Sequence, residues 1–513
     1  MHIFLGMESP SSTQELSSAP RAGTPAGPGA PAEVDDQRWS PRLWAMLIVL
    51  CGALFLDALD VSMVGVALPD IRSSLGLTTT SLQWIVSGYV LGYGGLLLLG
   101  GRAADLLGRR RVFLAALALF AVASLLGGLV SSPELLIGAR FIKGIAAAFT
   151  APAGLSLLTT TFREGPMRNR AISVYSAFGA SGFSLGLVLS GLLTEVSWRL
   201  TLLVPAPVAL ITLIAAWRLI PRAGHGAVTG HRRHFDIPGA VTASAGMLLL
   251  VYTVVSAQAA GWASARTIGS FAAVAVLLTA FVRIELRSPD PLVRLSMFRL
   301  GALTRANIGS VTLFGSYVSF QFLVTQYLQS LSGWSALSTA LAFLPAGVMV
   351  AVLSTRMGSI IDRFGTTKVT VIAFVCLVAG YAVFLQIGTR PDYPAVILPS
   401  VLLIGLAFGL GFSSLSLAAT AGVPDAEQGL AASLFQTSFQ VGGAIVLAVV
   451  TAVVDAGGAN KVISTQATLA AYRPALAVIT GVSVIGALAA LSGLRWTRRE
   501  PAPVAVAAPC EDC

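Results

Sequence analysis

Fourteen long apolar segments dominate this chain, separated by loops that hold most of its charge. They run approximately over 43–68, 80–100, 112–130, 134–160, 170–193, 199–219, 236–257, 265–283, 304–329, 335–357, 369–388, 395–421, 429–454 and 474–494. A bilayer core about 30 Å thick is crossed by roughly 20 helical residues, so each segment has about the length of a span. In lipid the backbone must satisfy its own hydrogen bonds, which an isolated segment does only as a helix. The expected fold is an all-α polytopic membrane protein with 14 transmembrane helices. With 55% apolar and 11% charged residues, the chain needs lipid as a solvent.

The net charge of +10 does not mark a nucleic-acid binder, because the cations are spread through short loops. They act there as topology signals. With a cytoplasmic N-terminus, 25 of the 33 Lys and Arg fall on the inside. Arg72, Arg199, Arg266, Arg390, Lys461 and Arg473 fall outside, and Arg140 and Lys143 lie within a span. The even span count then places both termini in the cytoplasm, in a multi-pass protein of the cytoplasmic (inner) cell membrane. Arg far outnumbers Lys, and Ala, Gly and Pro are abundant, which suggests a bacterial, high-GC genome.

One cassette occurs twice. Gly101, Asp105 and Gly108, followed by Arg109, Arg110 and Arg111, recur in spacing as Gly358, Asp362 and Gly365, followed by a cation at Lys368, with Arg363 inside the second copy. Each copy sits in a tight loop between two apolar segments. A repeated charged loop marks a transporter made of two related halves, which rock about a central site. The copies are 257 residues apart, more than six spans need, so spans seven and eight read as an inserted pair. The expected division is a disordered cytoplasmic tail over 1–41 and a six-helix bundle over 42–220. Two inserted helices with their linkers follow over 221–300, then a second six-helix bundle over 301–495 and a tail over 496–513. Asp105 can accept from helix N-terminal N–H groups or pair with Arg109 to Arg111. It reads as a latch between the halves, since topology alone needs no acid.

The cassette resembles the signature loop of the major facilitator superfamily, and the span count resembles its fourteen-helix drug:proton antiporter branch. Asp60 to Pro69 is similar to that branch's first-helix motif, with Ser62 for the usual Thr and Gly65 for the usual Asn. Arg140 to Gly144 is similar to the fourth-helix motif, with Lys143 for the usual Gln. Gly182, Gly186 and Gly191 keep the glycine face of the fifth-span antiporter motif, while Leu187 replaces its proline and Ser190 one glycine. The helix-packing role of small residues is thereby kept and the proline kink is lost. The resemblance covers roughly residues 42–495. It implies the major facilitator fold and export of a small amphipathic organic substrate, such as a drug or antibiotic, in exchange for protons. It also implies that the first and fourth helices meet at a central cavity.

Asp57 and Asp60 share one face of the first span, and Arg140 and Lys143 share one face of the fourth. Charges inside a membrane face cavities and partners. Two close carboxylates resist joint ionisation, burial disfavours it further, and cations favour it. A change in that balance with access would load or release a proton. Asp60 is the first choice as carrier, with Asp57 sharing the proton, Arg140 modulating the site, and Lys143 binding an anionic group or pairing with Asp57. A static salt-bridge cluster is the competing reading.

Gln83, Tyr89, Phe178, Asn307, Gln321, Gln326, Gln436 and Gln440 are candidates to line the substrate cavity, with interhelical hydrogen bonds as the alternative for the polar ones. Trp334 reads as an interfacial anchor. Cys51 and Cys376 read as small apolar side chains. The lone Cys510–Cys513 pair and the His231–His234 loop do not make a metal site. No Walker-type loop and no nucleophile–base pair is present, so neither an ATPase nor an enzyme is expected. The expected cofactor complement is none, with a proton gradient as the energy source. The expected partners are substrate, protons and the lipid bilayer, without nucleic acid, for a monomeric chain. The rival readings are a proton-coupled or facilitated importer of a small metabolite and, more remotely, a transporter-like membrane sensor.

Overall fold

A computed structural model describes residues 39–162, 166–221, 236–288, 297, 301–423, 428–457 and 465–497. Both tails, the His231–His234 loop, Lys461 and the Cys510–Cys513 pair lie outside the described residues. The first six spans are α1 (Pro41–Leu75), α2 (Thr79–Leu107), α3 (Arg109–Leu129), α4 (Pro133–Thr161), α5 (Pro166–Val196) and the pair α6 (Trp198–Leu203) and α7 (Pro205–Leu219). The inserted pair is α8 (Ile237–Ala260) and α9 (Ala265–Glu285). The last six begin with α10 (Gly301–Thr325), α11 (Ala336–Phe364) and α12 (Thr366–Phe384). They end with α13 (Leu398–Thr420), α14 (Gln428–Ala456) and α15 (Thr465–Thr497). Among the described residues, fourteen spans are long and apolar enough to cross a membrane. The sixth is split where Pro205, which has no N–H to donate, opens α7. A π-helical segment, Gln326–Leu331, extends α10, and another, Tyr393–Ile397, leads into α13.

The two halves repeat one packing plan. α1 packs along α5 as α10 packs along α14, and α2 along α4 as α11 along α13. α3 meets α7 as α12 meets α15. The halves join by the reciprocal contacts α5 with α11 and α2 with α14. α8 lies on both α2 and α14, so the inserted pair covers that seam from outside, where α9 is largely exposed. This is the architecture of two six-helix bundles with two inserted central helices.

The repeated cassette takes the same backbone form twice. Gly108 has φ 93° and ends α2 where α3 begins; Gly365 has φ 79° and ends α11 where α12 begins. A side chain at positive φ is strained, so glycine makes each turn possible without a linker. In the first copy Arg110 donates to the carbonyls of Ile220 and Trp217, both at 2.8 Å, satisfying the open end of α7. In the second, Asp362 and Arg363 are exposed, and the Arg363 guanidinium lies 5.4 Å from the Phe364 ring. The side chain of Asp105, where a latch was expected, is outside the described residues.

Glycines set the helix spacing. A Cβ at Gly182 would lie 2.5 Å from the carbonyl oxygen of Phe55, and one at Gly186 2.7 Å from that of Leu59, so both seat α5 on α1. Gly191 instead faces Leu337 and Ala340 of α11, across the halves. Gly442 of α14 does for α10 what Gly186 does for α1: its Cβ would lie 2.6 Å from the Val311 carbonyl oxygen. α5 is helical through Leu187.

A buried charge cluster facing an aromatic layer

Close packing of α2 on α4 builds the site. A Cβ at Gly92 would lie 2.5 Å from the Phe141 carbonyl oxygen, and Gly144 presses on the Tyr89 backbone. That seam carries Arg140 and Lys143 toward α1. There both pair with Asp60, Arg140 through Nη1 and Lys143 through Nζ. Asp60 is 0% exposed, Lys143 1% and Arg140 3%, so the pairs are sealed from water. Arg140 also donates from Nε to the Ile85 carbonyl at 3.2 Å, and its guanidinium lies 4.5 Å from the centre of the Tyr89 ring. The Lys143 ammonium lies 4.9 Å from the Phe120 ring centre. Rings and carbonyls thus share the cationic charge with the carboxylate.

Asp57 is held differently. It is part-exposed and accepts a hydrogen bond from the Tyr89 hydroxyl. Tyr93, one turn further along α2, is within reach of Asp57 and of Gln436 on α14. The sequence offers Lys143 an anionic group or Asp57 as partner; in the structure it pairs with Asp60 instead, because packing of α4 on α1 brings its ammonium to that carboxylate.

The other polar candidates scatter. Gln83 is fully buried and its side-chain carbonyl accepts from Thr451 at 2.7 Å, joining α2 to α14 rather than lining a cavity. Asn307 binds the Leu303 carbonyl and the Ser438 hydroxyl. Gln326 accepts from Ser330 within its own helix. Gln321 lies against Gly65, where a Cβ would come within 2.9 Å of its amide nitrogen. The glycine that replaces the usual Asn of the first-helix motif therefore leaves room for a side chain of the other half. Gln440 packs beside Gly94, and Phe178 joins the apolar cluster of the first half. Trp334 lies 6.3 Å from the Tyr393 ring.

The second half carries an aromatic layer. Phe314 and Phe439 stack at 3.9 Å, and Phe412 lies 5.4 Å from Phe439 and 5.9 Å from Phe435. Tyr317 meets Phe408 at 5.0 Å and Phe183 of α5 at 5.9 Å, which carries the layer across to the first half. The signal was present in two four-residue spacings, Phe408 with Phe412 and Phe435 with Phe439, each placing two rings on one helix face.

Two pseudo-symmetric membrane bundles, one of them holding buried ionisable residues, make the frame of a membrane transporter. The chain belongs to the Major Facilitator Superfamily, whose profile matches residues 50–447. It is 36% identical over 468 residues to the puromycin resistance protein pur8 of Streptomyces alboniger, covering 88% of this chain and 91% of that one. It is 37% identical over 415 residues to the cephamycin export protein CmcT of Amycolatopsis lactamdurans, covering 80% and 85%. It is 33% identical over 416 residues to the lincomycin resistance protein of Streptomyces lincolnensis, covering 81% and 85%. Among solved structures, a proton-dependent oligopeptide transporter matches with TM-score 0.64 at 15% identity, covering 89% and 99%. The xylose transporter XylE from E. coli, partially occluded and inward open, matches with TM-score 0.59 at 13% identity, covering 90% and 100%. These two likenesses concern the fold.

Proposed function

We propose that the chain exports amphipathic organic compounds, antibiotics among them, across the cytoplasmic membrane in exchange for protons, by alternating access. The observation that carries this reading is the charge cluster of Asp57, Asp60, Arg140 and Lys143 within the span region. Ionisable residues there are unfavourable unless paired or functional, and a proton relay is a recurrent use. The aromatic layer offers apolar rings to a hydrophobic substrate, and relatives named for puromycin, cephamycin and lincomycin point to the same substrate class. The sequence carries no Walker-type loop, so an ion gradient is the natural drive. One chain supplies both halves, so a monomer suffices.

In this reading the face that carries the start of α1 and the end of α15 is cytoplasmic. The opposite, outer face holds the bridges between the halves. Gln329 donates to the Val66 carbonyl at 3.0 Å, Thr451 to Gln83, and Gly191 lies on α11. Outward opening breaks these contacts while the cassette turns move with their helices.

The test is efflux of ethidium and puromycin from a pump-deficient bacterial host that expresses the chain, with and without a protonophore. Expected is export that the protonophore abolishes. Export that survives it removes the proton from the mechanism, and increased cellular accumulation reverses the direction to import.

A further inference from the structure

The two acids of α1 sit one turn apart in opposite settings. Asp60 is fully buried and takes both cations of α4. Protonating it would leave Arg140 and Lys143 buried without a counter-ion, and removing one partner of a buried ion pair is strongly unfavourable. Asp57 is part-exposed, and among the described residues no ion pair ends on it. Its hydrogen-bond partners are neutral hydroxyls, those of Tyr89 and Tyr93. It also lines a cavity of about 10 Å³ with Thr150, Phe120 and Ala147. That is about the room one water molecule needs. Asp57 thus has room for one water beside it, and no cation is stranded when it takes a proton.

We propose that Asp57, not Asp60, is the carboxylate that takes up and releases the proton, and that Asp60 is a fixed anion holding Arg140 and Lys143 in place. This assignment rests on the proton-coupled reading above. The groups that face Asp57 are Asp60 on its own helix, Tyr89 and Tyr93 on α2, Arg140 and Lys143 on α4, and Tyr175 on α5. With both acids ionised, two negative and two positive charges balance. Uptake of one proton from water by the Asp57 carboxylate gives the neutral acid and leaves one net positive charge on the cluster. Release to the other side restores the balance. Since the first-helix motif begins at Asp60, Asp57 lies outside the pattern that the sequence resemblance supplies.

The test separates the assignment from transport. Purified full-length protein in detergent is titrated while the infrared carbonyl band of protonated carboxyl groups is followed. In the wild type one component of that band disappears as pH rises. Asp57→Asn removes the component, and Asp57→Glu shifts it while keeping it. The charge-balanced double variant Asp60→Asn with Lys143→Gln keeps it, since Asp57 and Arg140 still balance. A component that persists in Asp57→Asn, or that vanishes in the double variant, overturns the proposal. The second measurement is ethidium transport in proteoliposomes, with and without an imposed pH gradient. In Asp57→Asn the two rates become equal, whereas in the double variant the gradient still raises the rate. A wild type whose rate ignores the gradient, with the infrared component present, overturns the proton-coupled reading while leaving Asp57 as the titrating acid.

Discussion

The two halves share a frame and differ in what they bury. In the first half α1, α2 and α4 enclose Asp60, Arg140 and Lys143, with Asp57 beside them. In the second half the rings of α10, α13 and α14 form an aromatic layer, and among the described residues the buried polar groups of that half are neutral, Gln321 and Ser316 among them. Duplicated helix packing therefore does not demand duplicated chemistry. On the proposed reading the first half holds the charge that couples to protons, and the second offers apolar rings to a substrate. Phe183 against Tyr317 is where the aromatic layer crosses to the first half.

The sharpest test of that contrast removes one side chain from each half. Asp60→Leu strands two buried cations and is expected to destabilise the protein by about 3–5 kcal/mol, the usual range for breaking a buried pair. Gln321→Leu removes a neutral amide whose nitrogen has no hydrogen-bond partner among the described residues, and is expected to change stability little. Thermal unfolding of the detergent-purified variants, followed by intrinsic fluorescence, should rank them far apart. Equal losses would show that the charge cluster is no more important to the fold than its neutral counterpart.

The frame was more legible in the sequence than the site. Span count, cassette and inserted pair are local signals, because each depends only on residues close together in the chain. The glycine faces are local as well, but their partners are not. Gly182 and Gly186, four residues apart, share a face toward α1, while Gly191 lies five further on, turned by about 140° at 3.6 residues per turn. That rotation alone sends it to α11. The four charges were found because ionisable residues within apolar spans stand out. Their pairing was not, since Asp57 and Asp60 are both within a turn of the same cations and packing decides between them. The aromatic layer depends on the facing of three helices of the second half and one of the first, which no window of sequence contains.

A second comparison tests the shared frame. Gly186→Val and Gly442→Val each force a branched side chain into a carbonyl of the neighbouring helix. Overpacking of this kind costs about 1–3 kcal/mol. The two variants are expected to lose similar amounts of folded protein, measured as the monodisperse fraction on size-exclusion chromatography. Gly358→Val, where a Cβ meets nothing within 4 Å, is the control and should lose little. Damage from Gly186→Val alone would mean that α10 and α14 adjust where α1 and α5 do not, and the equivalence of the halves would end there.

The smallest effect concerns the join between the halves. Gln329 sits in the π-helical extension of α10 and reaches back to the Val66 carbonyl of α1 at 3.0 Å. The carbonyl lies inside a long helix, so the bond adds nothing to the first half by itself; it only ties the second half to it. Removing it by Gln329→Ala should leave the melting temperature nearly unchanged, because each half keeps its own packing. It should instead shift the balance of open and closed outer faces. A single hydrogen bond contributes about 1 kcal/mol, which is roughly a fivefold change in that equilibrium. Spin labels at Ser73, near the end of α1, and Ser335, at the start of α11, report the separation of the halves on that face. The expected result is a longer-distance population several times larger in Gln329→Ala than in its parent. A distance distribution that does not move would place the closing force in the α5–α11 and α2–α14 seams, and the Gln329 bond would be a consequence of closure rather than one of its causes.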